Sequence, residues 1–135
     1  VGFIRSLTDF QVSTGVVTSS HHSRMLKMLA DLGIENNFTH FVTADDVTHG
    51  KPHPEPYEKM REKMNLPAEY CLVFEDAISG IQSATAAGMH SIGIGNENAR
   101  EDLLLHGATD TITDFLQISI TSENLSFPNG TVFEI

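Results

Sequence analysis

The chain has 135 residues, a formal net charge of −10 and one cysteine, Cys71. This length can bury a sizeable core in one domain, and 40% hydrophobic with 19% charged residues is typical of a globular rather than a disordered chain. The negative charge and the lack of a basic stripe argue against unaided binding to nucleic acid or to an anionic membrane. A lone cysteine excludes an internal disulfide, and no apolar run approaches the ~20 residues that span a bilayer. A cytoplasmic location is therefore expected.

The first third of the chain alternates between helical and extended patterns. Apolar residues within 3–7 have the spacing of a short helix, and residues 11–17 form a strand-like run that ends in polar residues. The helix predicted next ends at Gly33, with Ser19 or Ser20 as its N-cap. Its predicted buried face consists of Met25, Leu26, Leu29 and Leu32.

A proline-stiffened loop follows a second short strand, which is predicted at residues 40–43. Residues 50–54 cannot be helical, because proline forces the preceding residue toward extended geometry. Pro56 is well placed in the first turn of the next helix, where Glu55 and Lys59 have the spacing of an ion pair on the outer face. The predicted inward-facing residues of that helix are Tyr57, Met60 and Met64.

The pattern then repeats with clearer strands. A strand at 72–75 precedes a helix that ends at Gly88, and residues 90–94 form the next strand. Asn98 is the expected N-cap of a further helix, which leads to a last short strand at 109–113. Strands that alternate with helices in this way predict an α/β fold built from parallel βαβ units.

The C-terminal residues differ from this core. The predicted core covers residues 1–117, and residues 118–135 form a tail of short strand-like segments with a good hairpin turn at Asn129 and Gly130. This tail is either a small β appendage or a poorly ordered end.

Hydroxyl side chains follow the first strand. Thr18, Ser19 and Ser20 stand between that strand and a helix, where hydroxyls and free backbone N–H groups can bind an anion. The alternative is plain N-capping of the helix, which is the commoner role of such residues.

A lysine and an acid pair follow two later segments. Lys51, held between Gly50 and Pro52, is a point charge suited to a phosphate or to nearby carboxylates; alternatively it is a solvated surface lysine. Glu75 and Asp76 end a strand and are expected to point into the cleft beyond it. Mg²⁺ takes one or two carboxylates together with phosphate and water, whereas the alternative role of this pair is to cap the next helix.

Taken in order, these motifs resemble a known superfamily. The sequences at 16–20 (Val-Val-Thr-Ser-Ser), 50–57 (Gly-Lys-Pro-His-Pro-Glu-Pro-Tyr) and 73–81 (Val-Phe-Glu-Asp-Ala-Ile-Ser-Gly-Ile), followed by Ala-Ala-Gly at 86–88, are similar to those of the haloacid dehalogenase-like superfamily. The branch resembled includes β-phosphoglucomutase and the small sugar- and polyol-phosphate phosphatases. The resemblance covers residues 15–116 and implies a three-layer α/β/α, Rossmann-like parallel sheet.

The resemblance also implies roles for the motif residues. Thr18 would hold the transferring phosphoryl group with help from the Ser19 backbone N–H, and Lys51 would balance charge between that group and an aspartate nucleophile. Glu75 and Asp76 would bind Mg²⁺ as the cofactor. Three further residues lie where the family contacts substrate or cap: Ser20, His21 and His22.

The chain departs from the family pattern at the nucleophile. The family carries an Asp-x-Asp-Gly motif on a first, central strand, and the segment Asp9-Phe10-Gln11 does not replace it. The resemblance therefore implies a partial core that lacks this strand and the helical cap, and a fragment of a longer gene product. The two strands that flank the missing one would either pair directly or leave a gap that another segment or a second chain fills.

Two classes of function follow from these residues. The first is a Mg²⁺-dependent phosphatase of small phosphorylated sugars or polyols, or a phosphomutase of the β-phosphoglucomutase type, with this chain inactive by itself. The second is a non-catalytic pseudo-enzyme or binding module. A flavodoxin-like receiver domain is disfavoured, because there the acid pair precedes the rest of the domain and the lysine comes near its end.

Overall fold

Five parallel strands of the chain lie in two separate sheets. The computed structural model describes residues 1–135. One sheet has two strands and the other has three, in the order β3-β4-β5. Their bounds are β1 Gly15–Val17 and β2 His40–Val42 in the first sheet, and β3 Leu72–Glu75, β4 His90–Ile94 and β5 Asp110–Ile112 in the second.

Five α-helices accompany these strands, and four of them follow a strand in the predicted alternation. None of them is both long enough and apolar enough to cross a membrane. Their bounds are α1 Gly2–Asp9, α2 His22–Asp31, α3 Glu55–Met64, α4 Ile78–Ala86 and α5 Glu97–Leu105. The α/β fold class predicted from the sequence is confirmed.

The three-stranded sheet is covered on both faces. Ile92 of β4 is fully buried in a cluster with Leu7 of α1 and Leu125 of the tail. Its neighbour Gly93 faces the other way, since a Cβ added there would lie 3.0 Å from Leu103 of α5. Helices α4 and α5 therefore cover one face, and α1 with the tail covers the other.

The strands β1 and β3 are not hydrogen-bonded to each other. β1 pairs only with β2, and β3 pairs only with β4, so each has one unpaired edge. The alternative in which these two strands pair directly is therefore wrong. No strand of these 135 residues lies between them.

The tail forms a third, antiparallel sheet. Its strands are β6 Ser119–Ile120, β7 Asn124–Ser126 and β8 Val132–Glu134. Leu125 and Phe127 are buried in the cluster that contains Ile92. The backbone N–H of Asn129 donates to the carboxylate of Asp110 at 3.2 Å, and Gly130 takes the positive φ of +90° that the turn requires. The tail is thus a β appendage packed on the core rather than a poorly ordered end.

The first strand is shorter than the apolar pattern predicts. It begins at Gly15 rather than at residue 11. Gln11 has a φ of +60°, and the backbone N–H of Val12 donates back to the carbonyl of Leu7 at 2.9 Å. The turn that ends α1 therefore takes up Gln11 and Val12, and the strand begins only after it.

Two details of helix α2 also differ from the prediction. Met25 and Leu29 are buried, but Leu26 and Leu32 are 43% and 51% exposed. The helix packs on Val16 and Phe41 of a sheet of only two strands, which is wide enough to cover one i, i+4 row of side chains.

The helix N-caps also differ from those expected. The N-cap of α2 is His21 rather than Ser19 or Ser20, and the N-cap of α5 is Asn96 rather than Asn98. The Asn96 side chain accepts a hydrogen bond from the backbone N–H of residue 99 at 3.1 Å, as an N-cap requires.

Candidate functional site

Three of the predicted site residues line one cleft beyond the carboxyl end of β1. Thr18, Ser19 and Lys51 share this cleft of about 200 Å³ with the loop residues Thr48 and Gly50. The structure therefore brings the hydroxyls that follow β1 and the lysine that follows β2 to one cleft. This convergence follows from parallel strands, whose carboxyl ends meet at the same edge.

The turn after β1 offers two free hydrogen-bond donors. The backbone N–H of Thr18 donates to the carbonyl of Val42 at 2.9 Å and so continues the strand ladder. The Thr18 hydroxyl oxygen accepts from the N–H of Ser20 at 3.1 Å, which leaves its own hydrogen free to donate. The backbone N–H of Ser19 has no partner within the chain. Ser20 does not line the cleft, and its carbonyl accepts from Ala44 at 3.0 Å.

The N-terminus of α2 is neutralised by an acidic side chain from a different part of the chain. The Asp45 carboxylate accepts from the backbone N–H of His22 at 2.9 Å and lies 2.7 Å from Nδ1 of His21. The hydrogen bond from His22, followed by that from His21, holds the pKa of Asp45 below its ordinary value. An incoming anion therefore meets the Thr18–Ser19 turn rather than a free helix end.

Lys51 bridges the ends of β1 and β3, the two strands that each have one unpaired edge. Its Nζ donates to the carbonyl of Val17 at 3.3 Å and to Oε1 of Glu75 in a short hydrogen bond. The side chains of Lys51 and Glu75 are only 12% and 8% exposed. Lys51 also lies 5.2 Å from the ring centroid of Tyr57, within the range of a cation–π contact. These contacts exclude the alternative that Lys51 is a solvated surface lysine.

Tyr57 takes part in the same buried network, which the sequence did not indicate. Its hydroxyl donates to Oε1 of Glu75 at 2.5 Å. Burial, followed by the negative charge of Glu75, raises the pKa of Tyr57 far above its ordinary value, so the phenol stays a donor. The sequence pattern predicted Tyr57 only as an inward-facing residue of α3, because the partner of its hydroxyl, Glu75, lies on a different element and has no signal in the local pattern.

The two carboxylates of the acid pair lie in different environments. Glu75 is buried beneath Lys51 and against Gly80, where an added Cβ would lie 2.0 Å from the carboxyl carbon. Asp76 is exposed and has no hydrogen bond or ion pair within the chain. Side chains of a strand alternate in direction, which separates the two neighbours. The expectation that both carboxylates open into the cleft does not hold for Glu75, and for Asp76 it stays a prediction, because neither residue lines the cleft of Thr18 and Lys51.

This arrangement fits one carboxylate ligand for Mg²⁺. The ion needs one or two carboxylates and completes its shell with phosphate and water, and the unpartnered Asp76 meets this requirement. The predicted metal role of Glu75 stays a prediction, because Lys51 and Tyr57 already hold one of its oxygens.

Glu55 holds the loop that carries Lys51. Its carboxylate accepts from the backbone N–H groups of Thr48 at 2.9 Å and His49 at 2.7 Å. These two hydrogen bonds lower the pKa of Glu55 from 4.5 to about 2. The predicted pair with Lys59 is present but long, at 3.7 Å. The loop is non-helical as predicted, and its geometry depends on this carboxylate.

Glu55 should make the stability of the chain depend on pH in the acidic range. Its pKa is lower in the folded state than in the unfolded state, so its contribution is complete above pH 4.5 and is lost as the pH falls toward about 2. We expect the melting temperature of the native chain to exceed that of Glu55→Gln at pH 7, and the difference to shrink between pH 4.5 and 2. Circular dichroism melts across this range measure it. A difference that is constant with pH would contradict the assignment.

Comparison with known proteins gives this site a family. The sequence model of haloacid dehalogenase-like hydrolases matches residues 2–94, more than half of the chain. The chain belongs to the haloacid dehalogenase-like hydrolase family. The resemblance seen in the motifs around Thr18, Lys51 and Glu75 is thereby confirmed.

Relatives within the haloacid dehalogenase-like family are phosphatases by name. Validoxylamine A 7'-phosphate phosphatase of Streptomyces hygroscopicus subsp. limoneus is 34% identical over 112 residues, which cover 79% of this chain and 53% of that protein. Fructose-1-phosphate phosphatase of Escherichia coli (strain K12) is 39% identical over 79 residues, covering 58% and 42%. The chain thus spans about half the length of the relatives it matches.

A solved structure has the same fold. A β-phosphoglucomutase-like protein of Thermotoga maritima superposes with a TM-score of 0.77 at 31% identity, over 81% of this chain and 51% of that one. The Rossmann-like architecture implied by the motifs is therefore confirmed for the haloacid dehalogenase-like core.

Proposed function

We propose that this chain provides the phosphate- and metal-binding half of a Mg²⁺-dependent phosphatase site for small phosphorylated sugars or polyols. The observation that carries the proposal is the position of Lys51, which joins the carbonyl of Val17 to the carboxylate of Glu75 at the edge of the cleft. A lysine fixed in this way has a defined position relative to any phosphate that enters beside Thr18. The names of the relatives support a phosphorylated carbohydrate as substrate.

Each residue of the proposed half-site has a distinct task. The Thr18 hydroxyl and the Ser19 N–H donate to phosphate oxygens, and the Lys51 ammonium offsets their charge. Asp76 would hold Mg²⁺, which when bound neutralises phosphoryl charge. Tyr57 acts through Glu75, because its hydroxyl helps to hold the carboxylate that positions Lys51.

The proposal requires an acceptor carboxylate from elsewhere. No Asp-x-Asp-Gly sequence occurs among the 135 residues, so covalent phosphoryl transfer has no aspartate nucleophile of that motif here. We propose that a parallel strand from a further segment or from a second chain fills the space between β1 and β3 and brings this group. A cytoplasmic location stays a prediction from the sequence.

Phosphate binding tests the half-site in the chain as it exists. With Mg²⁺ present, inorganic phosphate should bind the 135-residue chain, and Thr18→Val should weaken binding by roughly tenfold or more, because a hydrogen bond to a charged group contributes roughly 1.5–3 kcal/mol. Thr39→Val is the matched control, since Thr39 bonds His40 and does not line the cleft. Isothermal titration calorimetry measures the affinities. Equal loss in both variants would remove the role of Thr18.

Hydrolysis tests whether the chain needs an acceptor carboxylate from elsewhere. We expect the 135-residue chain not to release phosphate from p-nitrophenyl phosphate above an Asp76→Ala background, because the acceptor is missing. Release above that background would contradict the requirement for an added strand. If the chain also fails to bind phosphate, the proposed half-site itself is contradicted.

A further inference from the structure

A second group of ligand-type side chains lies in the loop that carries Lys51. His49, His53 and Glu55 each place one potential ligand atom within 4.8 Å of those of the other two. None of the three lines the cleft. We propose that they form a binding site for a borderline transition-metal ion such as Zn²⁺, separate from the Asp76 carboxylate and independent of the proposed phosphatase function.

The donor set selects the class of ion. Two imidazoles and one carboxylate match the ligands that Zn²⁺ takes in three-ligand sites, with water in the fourth position. Imidazole nitrogen also suits Cu²⁺ and Ni²⁺, whereas Mg²⁺ prefers a shell made only of oxygen. The cluster therefore discriminates against the ion expected at Asp76.

The two rings are close enough to share an ion after a small movement. Their centroids are 4.8 Å apart and the rings are inclined by 28°. Tetrahedral bonds of about 2.0–2.1 Å separate ligand atoms by about 3.4 Å, so the cluster must contract by roughly 1–1.5 Å. Both histidines are exposed, so rotation of their side chains meets little packing.

The carboxylate is already prepared for a cation. Glu55 stays ionised in nearly all conditions because its pKa is about 2, and its Oε2 lies 3.2 Å from Nδ1 of His49. An ion that replaces the proton between Nδ1 of His49 and this carboxylate would be bound by both atoms. The nearest competing cation, Nζ of Lys59, is 3.7 Å from Oε1 on a partly exposed side chain. Nδ1 of His53 accepts from the backbone N–H of Glu55 at 3.1 Å. When this nitrogen binds the ion instead, water can accept from the N–H, because it lies at an exposed helix end.

The backbone that carries these ligands is held in place. The carbonyl of His53 accepts from the Ser83 hydroxyl at 2.6 Å, and Pro52 and Pro54 flank the residue. Glu55 fixes the backbone of residue 49 at the other side of the cluster. A ligand set on a preorganised backbone loses less entropy on binding the ion.

Titration of the 135-residue chain with ZnCl₂ tests the proposal. Calorimetry should give a site of one ion per chain, which His49→Ala and His53→Ala each weaken tenfold or more. His21→Ala is the matched control and should bind as the native chain does, because His21 pairs with a single carboxylate, Asp45, at 2.7 Å. Asp76→Asn should also leave Zn²⁺ affinity unchanged, and excess Mg²⁺ should not displace the ion.

Two results would reject the proposed Zn²⁺ site. Absence of Zn²⁺ binding to the native chain, or affinity that survives both His49→Ala and His53→Ala, would reject the site. Loss of Zn²⁺ affinity in Asp76→Asn would place the ion at Asp76 instead. The two histidines are exposed, so their replacement should leave the far-ultraviolet circular dichroism spectrum of the native chain unchanged.

Discussion

Lys51→Met is expected to lower the free energy of unfolding by about 3 kcal/mol or more, the largest stability loss that we predict for a single charged residue of this chain. Removing the ammonium leaves the Glu75 carboxylate buried, with the Tyr57 hydroxyl, 2.5 Å away, as its remaining hydrogen-bond partner. An uncompensated buried charge is far more costly than a lost surface pair. Urea unfolding followed by circular dichroism measures the change.

The control for this variant is Lys27→Met. Lys27 is 2.7 Å from Asp31, but the two side chains are 76% and 63% exposed, so the loss should be no more than about 0.5 kcal/mol. Adding Glu75→Gln to Lys51→Met removes the stranded charge and should recover at least half of the stability. Similar losses for Lys27→Met and Lys51→Met, or no recovery in the double variant, would show that the buried pair is not the cause.

Gly80→Ala is expected to destabilise the chain by about 2 kcal/mol, although alanine is a better helix former than glycine by about 1 kcal/mol. A Cβ at position 80 would lie 2.0–2.4 Å from the carboxyl atoms of Glu75. The Glu75 side chain cannot yield freely, because Lys51 and Tyr57 hold it. The steric conflict therefore outweighs the gain in helix propensity.

Gly2→Ala is the matched helical control for Gly80→Ala. Nothing lies within 4 Å of a Cβ at position 2, so this change should leave stability unchanged or slightly raise it. In a Glu75→Ala background the cost of Gly80→Ala should disappear, which a double-mutant cycle measures by denaturant unfolding. If Gly80→Ala costs the same in both backgrounds, the conflict lies with another neighbour.

The order of the elements was predictable because it depends on local patterns. The strands at 72–75 and 90–94 have the bounds that the sequence predicts, since short apolar runs bounded by turn residues leave little choice. The strand at 15–17 was overpredicted, because the turn that ends α1 includes residues 11 and 12 and is closed by the hydrogen bond from Val12 to Leu7. The exposed Leu26 and Leu32 were also missed, because the width of the sheet beneath a helix is a tertiary property.

The sequence predicted only part of the candidate site. Thr18, Ser19 and Lys51 line one cleft because each follows a strand of the same parallel arrangement. The burial of Glu75 beneath Lys51, and the capping of α2 by Asp45, had no signal in the spacing. Both result from contacts between segments that are far apart in sequence.

Local patterns in the sequence were sufficient to predict the α/β class, the alternation of strands and helices, and the positions of Thr18 and Asp76 directly after strands. Only the tertiary structure decided that Lys51 is buried on Glu75, 24 residues away, with Tyr57 completing the network. The physical reason is that local periodicity sets which face a residue takes, whereas the partner of a buried charge is chosen by packing between elements. A buried carboxylate must be paired, and that requirement made Lys51 part of the core as well as of the cleft.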